Sequence, residues 1–228
     1  MKILNTIRGA LEKEDFVSLM DQSEGKGGKI TNALIGLLAD SDEIIKWNAV
    51  YTLGKITARL YSKEPEGARK VIRQLIWNLN EESGGIGWGM PEAFGEILAL
   101  IPELKQEYAC LLTSYLSEEK CFIENEHLQI GLIWALGRLK KMDRGLISPV
   151  LPFLLKALLH PNPLMQGTAA WASGEIGIQE ALPVLRTLQT GNPMVKIYSG
   201  HRLQEKPVGQ WAKEAIIKIE GGDSCGGK

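Results

Sequence analysis

The chain has 228 residues, 44% of them hydrophobic, and its 26 basic and 27 acidic residues leave a formal net charge of -1. This length suffices for one large core or for several stacked helix pairs. Near-neutral charge disfavours non-specific binding to nucleic acid or to anionic membrane, because both attract an excess of Lys and Arg. No apolar run approaches the roughly 20 residues that a membrane-spanning helix needs.

The N-terminal segment and the cysteines favour a cytoplasmic protein. Charged residues interrupt the chain at Lys2 and Arg8, before the apolar core of a signal peptide can form. The three cysteines, Cys110, Cys121 and Cys225, are odd in number and lack the spacing of a metal site. Such usage fits a reducing compartment. Cys110 falls on a predicted helix and is expected to be packed, whereas Cys225 is expected to be exposed.

Residues 1–28 are predicted to form an N-terminal cap. One amphipathic helix is expected there, with apolar positions running from Ile3 to Met20. The glycines at 25, 27 and 28 then break the chain.

From residue 29 to about 220, the chain alternates a helix A, a short turn and a helix B. The A helices are predicted near residues 30–38, 71–79, 108–116, 150–159 and 181–188. The turns carry capping and helix-breaking residues, such as Asp40-Ser41-Asp42 and Pro161-Asn162-Pro163. Strand signals are nearly absent, and residues 221–228 are predicted to be a flexible Gly-rich tail.

The B helices share a recurring segment. Ala49–Ile56 returns at 93–97, 134–139 and 171–176, and more weakly at 214–219. The equivalent central positions, at steps of 41, 42, 37 and 43 residues, are Gly54, Gly95, Gly137, Gly174 and Ile217. A repeat near forty residues with helical periodicity inside it is typical of a helical solenoid.

This pattern, Ala-x-x-x-Leu-Gly-x-Ile preceded by Asp or Asn-Pro turns, resembles HEAT-like repeats of the phycobilin-lyase type over about residues 29–220. The resemblance implies an all-α, right-handed α-solenoid of about five HEAT-like helix pairs with an N-terminal capping helix. It implies the fold more than the function, because HEAT-like arrays serve as scaffolds, enzyme regulators, chromophore lyases and DNA glycosylases.

Two faces of the B helices differ in composition. Counted from the repeated glycine, positions −5, −2, −1 and +2 are apolar or small and form a stripe that is predicted to pack on helix A. The opposite face carries four of the six tryptophans. We expect it to be solvated and to line a concave binding groove with Trp47, Tyr51, Trp88, Glu92, Glu96, Trp134, Arg138, Trp171 and Glu175. Alternatively, the tryptophans belong to a tightly curved core between neighbouring B helices.

Position +1 alternates in charge along the repeats, as Lys55, Glu96, Arg138, Glu175 and Lys218. The favoured interpretation is a structural ladder of ion pairs between stacked repeats, each worth about 0.2–1 kcal/mol. On that interpretation, replacing Arg138 by Glu lowers thermal stability. The alternative is that the ladder faces a ligand in the groove.

Three further segments are candidates for binding. The glycine-rich stretch 81–92 is either an anion- or carbonyl-binding turn beside Trp88, or a long turn with Pro91 in the first turn of the next helix. Glu92 and Glu96 form an acidic pair suited to a cation or to acid–base work, although solvated side chains are favoured. His201 and Arg202, in the insertion 196–209, suit an anionic group, although a solvated loop is favoured.

The leading functional hypothesis is a non-enzymatic protein-binding scaffold or adaptor without a cofactor, which holds a protein segment or partner subunit in the groove. By the resemblance, the alternative is a lyase or chaperone for a flat conjugated cofactor such as a tetrapyrrole. A DNA-glycosylase-like protein is disfavoured, because Glu92, Glu96 and Glu175 make the expected groove partly acidic. Spacing yields no catalytic triad and no metal site.

Overall fold

The computed structural model describes residues 2–23, 27–80 and 87–222, and the chain forms two compact units, Met1–Glu107 and Tyr108–Lys228. The expected all-α repeat fold is confirmed, with helices at all five predicted A positions and all five B positions. Among the described residues, no helix has the length and hydrophobicity that a membrane span requires.

The first unit begins with two short helices and continues with two A/B pairs. In chain order its helices are α1 (Lys2–Glu12), α2 (Phe16–Gln22), α3 (Gly27–Leu37), α4 (Glu43–Lys63), α5 (Pro65–Leu79) and α6 (Met90–Leu100). The next helix, α7 (Pro102–Ser114), runs across the boundary between the units.

The second unit holds the remaining repeats and one β-hairpin. Its elements are α8 (Glu126–Leu139), α9 (Arg144–Ile147), α10 (Leu151–Leu158), α11 (Pro163–Ile176), a 3₁₀ turn (Gln179–Ala181), α12 (Leu182–Leu188), β1 (Met194–Ser199), β2 (Arg202–Pro207) and α13 (Val208–Gly222). Helix α13 includes Gly221 and Gly222, which were expected in the tail, and the rest of that tail, with Cys225, lies outside the described residues.

The N-terminal segment is two helices rather than the single helix expected. The backbone turns at Glu14, where φ is 54°, and Asp15 then caps α2 by accepting the N–H of Ser18 at 3.2 Å. An aspartate at this position satisfies one of the free N–H groups of a new helix, so it favours a restart over continuation.

The turns predicted before the B helices act as caps. The side chains of Asp42, Asn125 and Asn162 accept backbone N–H groups at the starts of α4, α8 and α11, respectively. Each capped start is worth about 1 kcal/mol, which explains why these B helices begin where the sequence indicates.

The apolar stripe of the B helices is confirmed as core. At position −2, for example, Thr52, Ala93, Ala135, Ala172 and Ala215 are all buried. Two of the repeated glycines lie against the next B helix. A Cβ added at Gly174 would lie 2.6 Å from Ala215 Cα, and one added at Gly137 would lie 2.9 Å from Ala172 Cα. Ala172 and Ala215, both at position −2, therefore contact the preceding B helix, so the stripe does not pack on helix A alone as predicted.

The insertion expected as a solvated loop is an antiparallel hairpin, with Ser199 paired to Arg202. Gly200 and His201 form its two-residue turn with φ of 61° and 63°, as in a type I′ turn. The side chains of Val195, Ile197 and Tyr198 are buried, and Lys206 donates to Glu214 of α13 at 2.8 Å. The expectation was wrong because this hairpin has apolar residues to bury against the repeats.

Cys110 was expected to be packed, but the structure places it on the exposed side of α7. Cys121 is exposed as well.

We expect Gly174→Ala to lower the free energy of unfolding. The new Cβ would meet the backbone of Ala215, which cannot rotate away, and overpacking costs roughly 1–3 kcal/mol. This exceeds the gain of about 1 kcal/mol in helix propensity. Gly145→Ala is the control, since no atom lies within 4 Å of its added Cβ. Urea denaturation followed by circular dichroism compares the two, and an equal effect of both substitutions would contradict the packing argument.

A second prediction concerns the stability of the protein at acidic pH. A hydrogen bond from Arg8 Nε to Asp40 Oδ2 (2.9 Å) lowers the pKa of Asp40, although burial opposes the shift. Such a carboxylate stabilises the protein above its unfolded pKa of about 4, and the contribution is lost as pH falls through the folded pKa. Between about pH 5 and pH 2, wild-type protein should therefore lose more stability than Asp40→Asn. Urea midpoints across this range test this, and parallel curves would contradict it.

Candidate functional site

In the first unit, the aromatic residues of the expected groove are largely covered. Trp47 is buried, and the edge of Phe16 from α2 contacts Tyr51, with ring centroids 5.3 Å apart. The ammonium group of Lys55 lies 5.5 Å from the Tyr51 centroid. Trp88 is half-buried. The prediction of a fully solvated aromatic surface is therefore wrong for Trp47, whereas Tyr51 and Trp88 are partly covered.

The acidic pair of the first unit is buried, not solvated as favoured. Glu92 is 5% exposed and Glu96 is 2% exposed. Lys46 donates to Glu92 at 2.6 Å, and the Glu96 side chain packs where Gly54 lacks a Cβ. Within residues 2–23, 27–80 and 87–222, no cluster of three or more His, Cys, Asp and Glu side chains could hold a metal ion. The buried pair thus lies in the contact between α4 and α6.

The glycine-rich stretch is described from Gly87 onwards, and residues 81–86 lie outside the described residues. Gly89 has φ of 74° and precedes α6, with Pro91 in the first turn of that helix. A Cβ added at Gly89 would lie 2.5 Å from the carbonyl oxygen of Leu38. The glycine thus permits close approach to the chain itself, which supports the structural interpretation of this turn over a ligand site.

In the second unit, the hairpin covers the two tryptophans of the expected groove. Trp134 is 3% exposed and Trp171 is 5% exposed. Their rings stack with centroids 6.0 Å apart and planes at 16°. The Trp134 indole N–H donates to the Tyr198 carbonyl at 2.7 Å, and that of Trp171 donates to Ser199 Oγ at 3.2 Å. Their expected exposure was wrong, because strand β1 takes the place of solvent.

A pocket of about 260 Å³ remains open at the turn of the hairpin. We call it the hairpin pocket. Its lining combines the C-terminal half of α8, one side of α11 and the hairpin turn, and comprises Trp134, Gly137, Arg138, Lys140, Trp171, Glu175, Tyr198, Ser199, Gly200 and His201.

Five lining residues of the hairpin pocket are ones that the sequence singled out: Trp134, Arg138, Trp171, Glu175 and His201. Arg202 is exposed and lies outside the lining. No pattern in the sequence singled out Lys140 or Tyr198. The alternation of Val195, Ile197 and an intervening lysine before Gly200-His201 is a hairpin signal that would have found Tyr198.

The charges of the hairpin pocket are predominantly positive. Arg138 and Lys140 contribute two cationic side chains. The single carboxylate in the lining, Glu175, accepts a hydrogen bond from Lys218 of α13, so its charge is offset. This ion pair forms one step of the predicted charge ladder, and the other steps remain predictions.

The backbone around the hairpin pocket is strained. Within the described ranges, three residues other than glycine have positive φ, and two of them, Lys140 and His201, line this pocket. Lys140 has φ of 55° and ψ of −141°, a combination that is usual only for glycine. Strain of about 1–3 kcal/mol persists where surrounding structure enforces it, often at functional sites.

Sequence comparisons match only part of the chain. No protein-family model matches the chain. An uncharacterized protein from Archaeoglobus fulgidus is 34% identical over 91 residues, which are 38% of this chain and 46% of that protein. The chain thus matches less than half the length of this curated relative.

Solved structures of repeat proteins align along most of the chain. An engineered protein has a TM-score of 0.54 at 18% identity, covering 96% of this chain and 92% of its own. Armadillo repeat proteins computationally designed for modular peptide recognition have a TM-score of 0.50 at 19% identity, covering 93% of each chain. An archaeal HEAT-like repeats protein from Thermococcus onnurineus NA1 aligns with a TM-score of 0.43 at 14% identity, covering 96% of this chain and 80% of its own. The chain therefore has an α-helical repeat fold like that of the designed armadillo repeat proteins.

Trp134→Phe should destabilise the second unit. The change removes a buried hydrogen bond to the Tyr198 carbonyl, and such losses cost roughly 1–3 kcal/mol. Trp77→Phe is the control, because Trp77 is 71% exposed and its loss should stay within about 0.5 kcal/mol. Thermal unfolding and acrylamide quenching of tryptophan fluorescence test both. If Trp134→Phe rather than Trp77→Phe removes the quenchable emission, the hairpin does not cover Trp134.

Lys140→Gly should stabilise the protein. Glycine adopts the observed φ and ψ without strain. Because glycine also increases the entropy of the unfolded chain, the expected net gain in the free energy of unfolding is about 1 kcal/mol. Glu14→Gly, at φ of 54° and far from the hairpin pocket in the sequence, is the matched control for relieving strain. A loss of stability in Lys140→Gly, measured by urea denaturation, would show that the lysine side chain itself holds the fold.

Proposed function

We propose that this protein is a non-enzymatic binding scaffold that holds a segment of a partner protein, and that the contact is made at the hairpin pocket. The observation that carries the proposal is the pocket itself, which joins two cationic side chains to aromatic walls on packed helices. Arginine and tryptophan are enriched among residues that dominate binding energy. This site replaces the wide aromatic groove that the sequence suggested.

The fold is suited to this role. Stacked helical repeats present one residue per repeat at regular spacing, and the resulting rigid surface is a common platform for extended polypeptides. The designed armadillo proteins with this fold were made for peptide recognition, which is in keeping with the proposal. In the second unit, α8 and α11 place Arg138 and Trp171 next to each other without a loop that must first become ordered. Preorganisation of this kind reduces the entropic cost of binding.

The hairpin pocket gives little support to the cofactor alternative. Pockets for drug-sized ligands span about 300–1,000 Å³, and the hairpin pocket has about 260 Å³. A tetrapyrrole would not fit within it. The stacked pair Trp134 and Trp171 is already covered by β1, so the two rings have no free face wide enough to sandwich a flat ligand.

Selection from a random peptide library displayed on phage tests the proposal. We expect wild-type protein to enrich a set of related peptides and Arg138→Gln to lose most of them, because a charged hydrogen bond in a pocket contributes about 1.5–3 kcal/mol. Lys213→Gln, an exposed lysine of α13 outside the pocket, is the matched control. Circular dichroism confirms that each variant folds. If no peptides are enriched over several rounds, the scaffold proposal is wrong.

A further inference from the structure

We infer that the outer edge of strand β2 is a docking site for an extended segment of a partner protein, which adds to the hairpin as a third strand. The inference rests on the proposed function only in that the occupant is a segment of a partner protein, because β2 lies outside the lining of the hairpin pocket. The recognised group is the backbone of that segment, and its side chains set the register.

The hydrogen bonds of the hairpin alternate along each strand. The two-residue turn makes Ser199 and Arg202 a hydrogen-bonded pair, so every second pair along the strands is also hydrogen-bonded. The Val208 N–H donates to the Pro193 carbonyl at 2.9 Å, which continues the same alternation beyond the strands. Residues at the intervening positions therefore point their N–H and C=O groups away from the other strand of the hairpin.

On β2, the intervening residues are Leu203 and Glu205. Within the described parts of the chain, no hydrogen bond reaches the backbone N–H or C=O group of either residue. Glu205 is exposed and Leu203 is half-buried. The edge of β1 differs, because the Tyr198 carbonyl accepts the indole N–H of Trp134 at 2.7 Å. The edge of β2 is therefore the free one, and a strand edge with unpaired N–H and C=O groups is a template for another strand.

Pro207 limits the length of this free edge. It is the next position of β2 at which the backbone points outwards, and as a proline it has no N–H to donate. Proline is tolerated there because the missing N–H would not have served the hairpin. The free edge therefore pairs with a segment of only a few residues and does not template a wider sheet.

The charges of β2 favour a partner segment over a second copy of this chain. In the antiparallel register that pairs all the free backbone groups of two copies, Arg202 of each copy would lie opposite Lys206 of the other. Like charges directly opposite each other are destabilising. A segment with a carboxylate opposite Arg202, an apolar residue opposite Leu203 and a basic residue opposite Glu205 makes favourable cross-strand pairs instead.

Fluorescence anisotropy with the full chain and a dye-labelled hexapeptide, Thr-Lys-Thr-Val-Glu-Thr, tests the inference. In the antiparallel register its lysine, valine and glutamate lie opposite Glu205, Leu203 and Arg202. The backbone N–H groups of its lysine and valine face β2, whereas that of the threonine between them faces away. N-methylation of the lysine or the valine should weaken binding by at least about fivefold, the effect of one lost hydrogen bond, and N-methylation of that threonine by less than about twofold.

A charge variant tests the register. Arg202→Gln should weaken binding of the hexapeptide by up to about fivefold, because an exposed ion pair is lost. Lys213→Gln, on the exposed side of α13, is the matched control and should leave the affinity unchanged.

Amide hydrogen exchange measured by NMR tests the site without a substitution. In the free protein, the amides of Leu203 and Glu205 should exchange quickly and those of Gln204 and Lys206 slowly, because only the latter two donate within the hairpin. The hexapeptide at about 100 times its Kd should slow exchange at Leu203 and Glu205 by at least about tenfold.

Slow exchange of the Leu203 and Glu205 amides in the free protein, or equal effects of the three N-methylations, overturns the inference. If that slow exchange depends on protein concentration, a second copy occupies the edge, and the partner inference is wrong. A hexapeptide that binds but slows exchange only elsewhere also overturns the edge site, yet leaves the scaffold proposal standing. No binding of the hexapeptide at millimolar concentration overturns the edge site, whereas the scaffold proposal falls only if the peptide library also enriches nothing.

Discussion

The close contact between a glycine of one B helix and an alanine of the next is the constraint on which the rest of the second unit depends. Gly137 faces Ala172, and Gly174 faces Ala215, with no room for a Cβ at either glycine. Helices that approach this closely bring their neighbouring side chains together, which is why Trp134 and Trp171 stack at 6.0 Å. The glycines therefore serve helix packing, and not the freedom of the backbone.

Both units cover the B-helix face opposite the core stripe, but they do so with different elements. In the first unit, Phe16 packs on Tyr51, and the Lys46–Glu92 ion pair fills the next position. In the second unit, the hairpin covers the tryptophans and satisfies both indole N–H groups. A buried indole or carboxylate without a partner costs several kcal/mol, so each unit must supply partners for the polar atoms of this face.

The hairpin pocket is a consequence of this covering. Strand β1 seals the tryptophans, but its turn ends at Gly200 and His201, beside the last turn of α8. Arg138 and Lys140 lie in the lining of the pocket near that turn. The pocket thus combines residues from two repeats and one insertion, and its lining contains both cationic and aromatic side chains.

The sequence alone determined the helices of the repeats, the turns between them and the core stripe, because helical periodicity and capping residues such as Asn162 act over short distances, and the forty-residue repeat is visible in the sequence itself. It also singled out Trp134, Arg138, Trp171 and Glu175, since a B helix already has its core face on the other side, and it singled out His201 as part of the insertion. Only the tertiary structure decided whether these residues face solvent. That outcome depends on contacts between residues distant in the sequence, such as Trp134 with Tyr198, 64 positions apart, and Trp171 with Ser199, 28 positions apart. It also depends on a hairpin whose apolar residues needed a surface to cover. Periodicity shows which face a side chain occupies, whereas its exposure depends on what packs against that face.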